Sequence, residues 1–378
     1  MKLGIAGAGA VAMGYAALTL TNGHSATVWS PSGFRTEALR ANSPLSVTGA
    51  INGDFHPGVC TSAAELAEFD VIVLALPAYG YRHVLDSLVP HIESRHTIII
   101  SGHLSFAALY LAKALAHCGI QIPVVVWNTS VLTSKAQSPN QIRIGAIRSK
   151  VDIATVPVRL GDKALALCVE LFGDRFVPKD DLLTIALSNL NPQNHMGIAL
   201  CNLARIERGE AWGQNSNITP AVGRLLEALD RERVAIAAAF GKKVRTIADH
   251  YSMSFDVTGD SVAAMSEKLV ERGSDPMGPR DADTRYVLED VPFGLVPTLL
   301  LAEMVNVDAP LHQSGIALLS ACYGRDFSKD NDLLPALSQP NAASLINLVV
   351  EGYSIDRAVK QGSRASKPKV IGARKDHS

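Results

Sequence analysis

Between residue 2 and about residue 158 the chain alternates short, uninterrupted apolar runs with stretches of helical periodicity. The runs Lys2–Ala6, Ala26–Trp29, Val71–Leu76, Thr97–Ser101, Val124–Trp127 and Gln141–Ile147 are short and mostly rich in β-branched residues, so they predict strands. Segments near 10–22, 62–68, 78–88 and 103–117 predict the helices between them. Runs such as VIVLAL and TIIIS carry no polar alternation, which suits a parallel sheet covered on both faces. Strand and helix alternating at this spacing predict a doubly wound α/β domain.

After about Lys179 the pattern changes. Strand-like runs nearly vanish, and apolar-periodic stretches at about 195–209, 218–240, 260–272, 295–305, 311–323 and 341–352 predict an all-helical second domain. The segment Phe172–Asp181, with Gly173 and Pro178, reads as the junction. The expected organisation is therefore a nucleotide-binding domain over 1–180, a helical domain over 181–360 and a basic, mobile tail over 361–378. No internal repeat is visible.

Composition narrows the class of partner. With 47% hydrophobic and 19% charged residues the chain is of the ordinary globular kind. Lys plus Arg (35) balance Asp plus Glu (36) to a net charge of −1, which leaves no electrostatic footprint for nucleic acid or an anionic membrane. A small molecule is the expected partner. The five cysteines are scattered without a CxxC pair, which argues against a disulfide framework or zinc knuckle and for a reducing compartment. No leader pattern and no run of ~20 apolar residues appears, so a cytoplasmic location is expected. Oligomeric state stays open, a homodimer being one option.

The first strand runs into "GAGAVA": Gly7 allows a tight turn, Gly9 lets backbone approach a pyrophosphate, and Ala12 is small enough for helix to pack on strand. Ala10 and Val11 open a helix whose free N–H groups favour phosphate. This is the fingerprint of a Rossmann-type site for a nicotinamide cofactor. The second strand ends Val28-Trp29-Ser30-Pro31-Ser32, with Arg35 beyond and no carboxylate to repel a 2′-phosphate. Ser30, Ser32 and Arg35 thus favour NADP(H), with NAD(H) remaining open, and Arg35 reads equally as a solvated surface residue. Leu76 and Pro77, at a strand's carboxyl end, either flank the nicotinamide ribose or form an ordinary loop.

Two polar concentrations lie in the second half. Asn191 and Pro192 read as N-cap and first helical residue of a helix carrying His195 one turn in. A buried structural histidine would fit that pattern as well as a functional one. Further on, Arg285 and Glu289 are spaced as a helical ion pair, whereas Asp290 lies roughly 140° around a straight helix from Arg285. Spacing leaves open whether Arg285 and Asp290 serve one site. His103 at a strand end is a secondary candidate, and Trp212 and Tyr251 read as pocket or core aromatics.

Taken together, N-P-x-x-H at 191–195 and R-Y-x-x-E-D-V-P-x-G-L-V-P at 285–297, behind the GAGxVA turn, resemble the opine dehydrogenases, the octopine/nopaline dehydrogenase family. The resemblance implies a Rossmann domain, a helical domain and an active site in the cleft between them. It implies joining of an amino acid to a pyruvate-like α-keto acid and reduction of the imine with NAD(P)H to a secondary amine dicarboxylate, or the reverse. His195 would then be the proton donor and acceptor, Asp290 the carboxylate orienting it, Arg285 the grip on a substrate carboxylate, and Asn191 part of the cleft's polar network. These roles suit the side chains, because histidine titrates near neutrality and arginine's planar fork matches a carboxylate. Ketopantoate-reductase-like and glycerol-3-phosphate-dehydrogenase-like enzymes share the architecture but use a lysine in the helical domain, and none occurs between Lys179 and Lys242. A non-catalytic NADP(H)-sensing protein is the rival from another class.

Overall fold

A computed structural model describes residues 1–337 and 341–355; the tail expected over 361–378 lies outside the described residues. The six predicted runs all fold as strands, joined by others that the apolar pattern did not show; in chain order they begin as β1 (Lys2–Ala6), β2 (Ser25–Trp29), β3 (Leu45–Gly49), β4 (Gly53–Phe55), β5 (Gly58–Cys60) and β6 (Val71–Leu74). They continue as β7 (Thr97–Ile100), β8 (Val124–Trp127), β9 (Leu132–Ser138), β10 (Gln141–Ile147), β11 (Val151–Val156) and β12 (Phe176–Pro178). Eight of these form one sheet in the order β12-β11-β8-β7-β6-β1-β2-β5. From β5 across to β8 every pairing is parallel, and β11 joins β8 antiparallel. Every residue of β6, β7, β8 and β11 is buried, as the unbroken apolar runs of β6, β7 and β8 predict. The chain order reverses between β1 and β6, and the crevice at the carboxyl ends of those strands is where open α/β sheets take ligands.

Gln141–Ile147 is a strand, as expected, but it belongs to a separate four-stranded sheet ordered β4-β3-β10-β9. Its burial alternates, with Ile142 and Ile144 inward, as in a sheet wetted on one side. This small sheet packs on the helix Ala10–Thr21, where a Cβ at Gly14 would come within 2.7 Å of Leu132 Cδ1. The helix expected from residue 103 begins only at Ala107, because Ser105 and Phe106 adopt φ of 53° and 54° and hold a turn ahead of it.

Beyond β12 the described chain is mostly helical, with α-helices over Leu182–Ser188, Asn191–Glu207, Pro220–Ala239, Ile247–Phe255, Val262–Glu271, Arg285–Leu288, Val296–Met304, Pro310–Tyr323 and Ala342–Glu351. Leu182–Ser188 and Ile247–Phe255 are not evident from periodicity. One apolar cluster joins Ile72, Ile100, Val126 and Val156 of the sheet to Leu182, Ile236, Phe293 and Leu345, so the helical half packs directly on one face of the sheet. Trp212 and Tyr251 belong to a second cluster inside the helical half and are core residues. The Trp212 indole N–H donates to Pro279 O at 3.0 Å, and the Tyr251 hydroxyl accepts from Ser266 at 3.2 Å. Among the described residues no helix is long and apolar enough to cross a membrane, and all five cysteines are unpaired.

Candidate active site

The glycine turn is shaped by a close backbone approach. Gly7 has φ +130°, and a Cβ there would lie 2.3 Å from Ala75 O at the end of β6. Only glycine satisfies both the dihedral and the contact. Gly9 caps the helix Ala10–Thr21 with no side-chain bond, leaving its first N–H groups for an anion, and Ala12 is fully buried beneath the turn. A Cβ on Gly9 would meet nothing nearer than Arg35 Nη1 at 3.8 Å, so a cradle lies open between turn and guanidinium. Ser30 and Ser32 lie side by side at the end of β2, hydroxyls 3.3 Å apart. Arg40, which no motif singled out, reaches the neighbouring Gly33. Neither Arg35 nor Arg40 forms an ion pair among the described residues. The turn and crevice therefore fit a dinucleotide.

A cleft of about 880 Å³ runs between the two halves. Gly9, Ala10, Val11, Leu76 and Pro77 line one wall; Asn191, Arg285, Glu289 and Asp290 line the other. Residues that spacing could not bring together thus share one cavity.

The helix Asn191–Glu207 carries His195, but its cap differs from expectation. Leu190 holds the N-cap position without a side-chain bond, and Asn189 Oδ1 accepts the Asn191 N–H at 3.0 Å. The Asn191 side chain is left exposed in the cleft. Pro192 sits in the first turn as predicted and meets Gly294, where a Cβ would lie 2.4 Å from Pro192 Cγ. Gly315 makes similar room for Met196 Sδ, at 2.0 Å from its notional Cβ. The Gly294 notch lets the His195 helix approach the 285–297 segment closely, and the Gly315 notch lets it approach the helix Pro310–Tyr323. Gly294→Ala is therefore expected to displace Pro192 and cut kcat about tenfold or more while cofactor affinity holds, measured by steady-state kinetics beside equilibrium cofactor binding; unchanged kcat would show the notch to be unimportant.

That approach brings His195 Nδ1 to 2.6 Å from Asp290 Oδ2, across 95 residues of sequence. The Asp290 side chain is 1% exposed and that of His195 14%, so Asp290 forms the wall and His195 stands bonded to it. An ionised carboxylate only accepts, so the bond assigns the proton to Nδ1 and leaves Nε2 free of protein partners among the described residues. Asp290 Oδ1 is buried with no hydrogen-bond partner. Tyr286 stacks on the imidazole with ring centroids 3.6 Å apart and planes 9° from parallel, fixing the ring's orientation. Burial pushes the Tyr286 hydroxyl up to about 12, so it stays a neutral donor, here to Gln214 Oε1. Sequence reasoning passed over Tyr286 although it stands inside the R-Y-x-x-E-D motif.

Arg285 and Glu289 do pair, Nε to Oε2 at 3.3 Å, with the arginine side chain 58% exposed and the glutamate 7%. Glu289 does more than pair with Arg285. Its other oxygen accepts the Ala78 N–H at 2.9 Å, reaching across the cleft to the turn after Pro77. Burial pushes its carboxyl up, Arg285 draws it back down, and the adjacent Asp290 charge adds to the rise. Past Asp290 the backbone widens into a π-helical turn, Val291–Leu295, with Val296 N–H bonded to Val291 O. Such turns re-aim side chains at functional sites, and Pro292 and Gly294 both lie within this one.

His103 does not join the site. It is 1% exposed, burial holds its ring down at about 3, and it packs edge-on against Phe106. It is a neutral core histidine. A third feature of the cleft was invisible in the sequence: Ser130 from the loop before β9, Ser134 from β9 and Arg148 from the loop after β10 join its lining. Among the described residues no group of three or more His, Cys, Asp or Glu side chains could hold a metal ion.

Comparison with known proteins places these features in context. Residues 178–323 match the family described as NAD/NADP octopine/nopaline dehydrogenase, alpha-helical domain, and residues 3–102 match ketopantoate reductase. The opine dehydrogenase of Arthrobacter sp. (strain 1C) is 30% identical over 332 residues, covering 85% of this chain and 91% of that protein. Among solved structures, octopine dehydrogenase in complex with NADH and agmatine superposes with a TM-score of 0.74 at 16% identity over 100% of both chains. Yersinopine dehydrogenase with NADP+ bound does so with a TM-score of 0.68 at 16% identity, over 96% of this chain and 99% of that one.

Proposed function

This chain belongs to the opine dehydrogenase family, NAD(P)-dependent oxidoreductases acting on the CH–NH bond of a secondary amine, and from that premise we propose that it condenses an amino acid with a pyruvate-like α-keto acid, or oxidises the resulting opine. The observation that carries this reading is the 2.6 Å bond between His195 Nδ1 and Asp290, the latter lining the same cleft as Gly9, Ala10 and Val11 of the glycine turn.

A bound nicotinamide supplies the hydride. The protein's part is proton handling and orientation. With Nδ1 tied to Asp290, His195 Nε2 is the group that protonates the keto oxygen as it leaves as water and takes the proton back in the oxidative direction. Asp290 stabilises the imidazolium and fixes the tautomer, while Tyr286 fixes the ring plane. Because Arg285 Nε is held by Glu289, its two terminal nitrogens are left to grip the keto acid's carboxylate as a fork. Glu289 in turn ties that arginine to the Pro77–Ala78 turn against which the cofactor would lie. Asn191, uncommitted to helix capping, offers a polar contact to substrate. Closing the cleft on both substrates would orient a three-body reaction.

On the cofactor, Ser30 and Ser32 at the end of β2, with Arg35 near Gly9 and Arg40 near Gly33, support NADP(H) over NAD(H). The His195–Asp290 pair in place of a lysine speaks against ketopantoate-type chemistry despite the match of the first hundred residues to that family. The test is oxidation of NADPH and NADH with pyruvate and a panel of amino acids. We expect turnover that requires both amino acid and keto acid, and a preference for NADPH. In Arg35→Ala the Kd of NADPH should rise about ten- to a hundredfold with that of NADH unchanged, the scale of one lost charged hydrogen bond. Cofactor binding without turnover for any pair would favour the sensing protein instead.

A further inference from the structure

Among the described residues three guanidinium groups line the cleft, and two of them are neutralised. Arg285 Nε lies 3.3 Å from Glu289 and Arg325 Nη2 lies 2.8 Å from Asp330. Arg148 is the exception. It forms no ion pair among the described residues, and its one side-chain hydrogen bond runs from Nε to Ser130 O at 3.0 Å, so both Nη groups are without partners. The nearby titratable groups that feel its charge offer no compensation, since burial holds Tyr15 up at about 12 and His250 down at about 4, both neutral. The guanidinium is half-buried, and burial pulls its own proton affinity down. A partly desolvated cation with open donors is costly unless a ligand answers it. Ser134 also lines the cleft, and its Oγ is buried with no hydrogen-bond partner among the described residues.

We propose that Arg148, with Ser134, forms a second carboxylate site in the cleft, holding the carboxylate of the amino-acid substrate while Arg285 holds that of the keto acid. The inference rests on the reading of the function given above. A secondary amine dicarboxylate has two carboxylates, and Arg148 is the cation of the cleft left unpaired to meet the second. The cofactor's diphosphate is the other oxyanion at hand, but the uncapped helix N-terminus at Gly9 already serves it. The charge of Arg148 is felt in both halves, by Tyr15 of the helix Ala10–Thr21 and by His250 of the helix Ile247–Phe255. With Nε fixed by Ser130, the two Nη groups form the end of the fork that suits a carboxylate.

Arg148→Gln and Arg148→Lys test this in the full-length protein. In Arg148→Gln the KM for the amino acid should rise about ten- to a hundredfold, while the KM for pyruvate and the Kd of NADPH stay within about twofold. Arg148→Lys should recover part of that loss, and Arg285→Gln should show the converse, raising the pyruvate KM. A rise in NADPH Kd in Arg148→Gln would assign the residue to the diphosphate and overturn the proposal. So would an unchanged amino-acid KM, or a fall in Tm with equal losses toward all three ligands, which marks a structural arginine. Calorimetry with iminodiacetate, the simplest secondary amine dicarboxylate, on the NADP+ complex does not depend on turnover: weaker binding in Arg148→Gln supports the site even if no substrate pair is found, and equal binding overturns it.

Discussion

His195→Ala is expected to lower kcat about a thousandfold while leaving the Kd of NADPH within about twofold of wild type. Positioned general acid–base groups contribute about 10²- to 10⁴-fold, and a thousandfold loss corresponds to about 4 kcal/mol of barrier. Cofactor affinity should hold because the Gly7–Ala12 turn is on the opposite wall of the cleft. The substitution also strips Asp290 of its one hydrogen-bond partner, leaving a carboxylate that is 1% exposed with neither oxygen paired. A buried group so stranded costs about 1–3 kcal/mol, so Tm should fall too. His195→Asn, which still offers an N–H to Asp290, separates the effects: the catalytic loss should persist while stability returns. Stopped-flow and steady-state rates beside thermal melts check both. More than a tenth of wild-type kcat in either variant removes His195 from the proton transfer.

Asp290→Asn is expected to cost about a hundred- to a thousandfold in kcat, with the KM for the keto acid changed little because Arg285 is untouched. An amide presents a donor as readily as an acceptor, so it no longer enforces a proton on Nδ1, and it brings no charge to stabilise the imidazolium. Stability should move the other way. Asp290 is a buried charge with Oδ1 unpartnered, and neutralising it removes a desolvation penalty, so Tm should stay level or rise. A variant that is slower yet no less stable identifies a residue kept for chemistry. If Tm collapses and kcat per folded molecule survives, the carboxylate is structural.

Much of the first half is legible from the chain because its signals are local. A buried parallel strand shows as a β-branched run, and Gly7 shows as a glycine because no other residue accepts φ +130° with Ala75 O so near. What escaped depends on partners. β11 reads poorly because Asp152 interrupts it, yet that aspartate is buried against Lys179 at 3.4 Å and Arg245 at 2.7 Å. β10 reads correctly as a strand, but no local pattern says which sheet it enters. Asn191 looks like a cap on propensity, whereas the chain's geometry passes that bond to Asn189.

The candidate site divides the same way. Local sequence marked Gly7 and Gly9 as the expected phosphate turn, whereas His195, Arg285 and Asp290 were singled out by the resemblance of their two motifs to the opine dehydrogenases, spacing by itself leaving their roles open. Tertiary structure alone decided that His195 bonds Asp290, that Tyr286 lies flat on the imidazole, that Glu289 bridges to Ala78 and that Arg148 stands in the same cleft without a partner. The reason is physical: hydrophobic periodicity and backbone dihedrals are set within a few neighbours. Contacts spanning 95 or 211 residues depend on how whole elements pack, here on whether Pro192 can sit against Gly294.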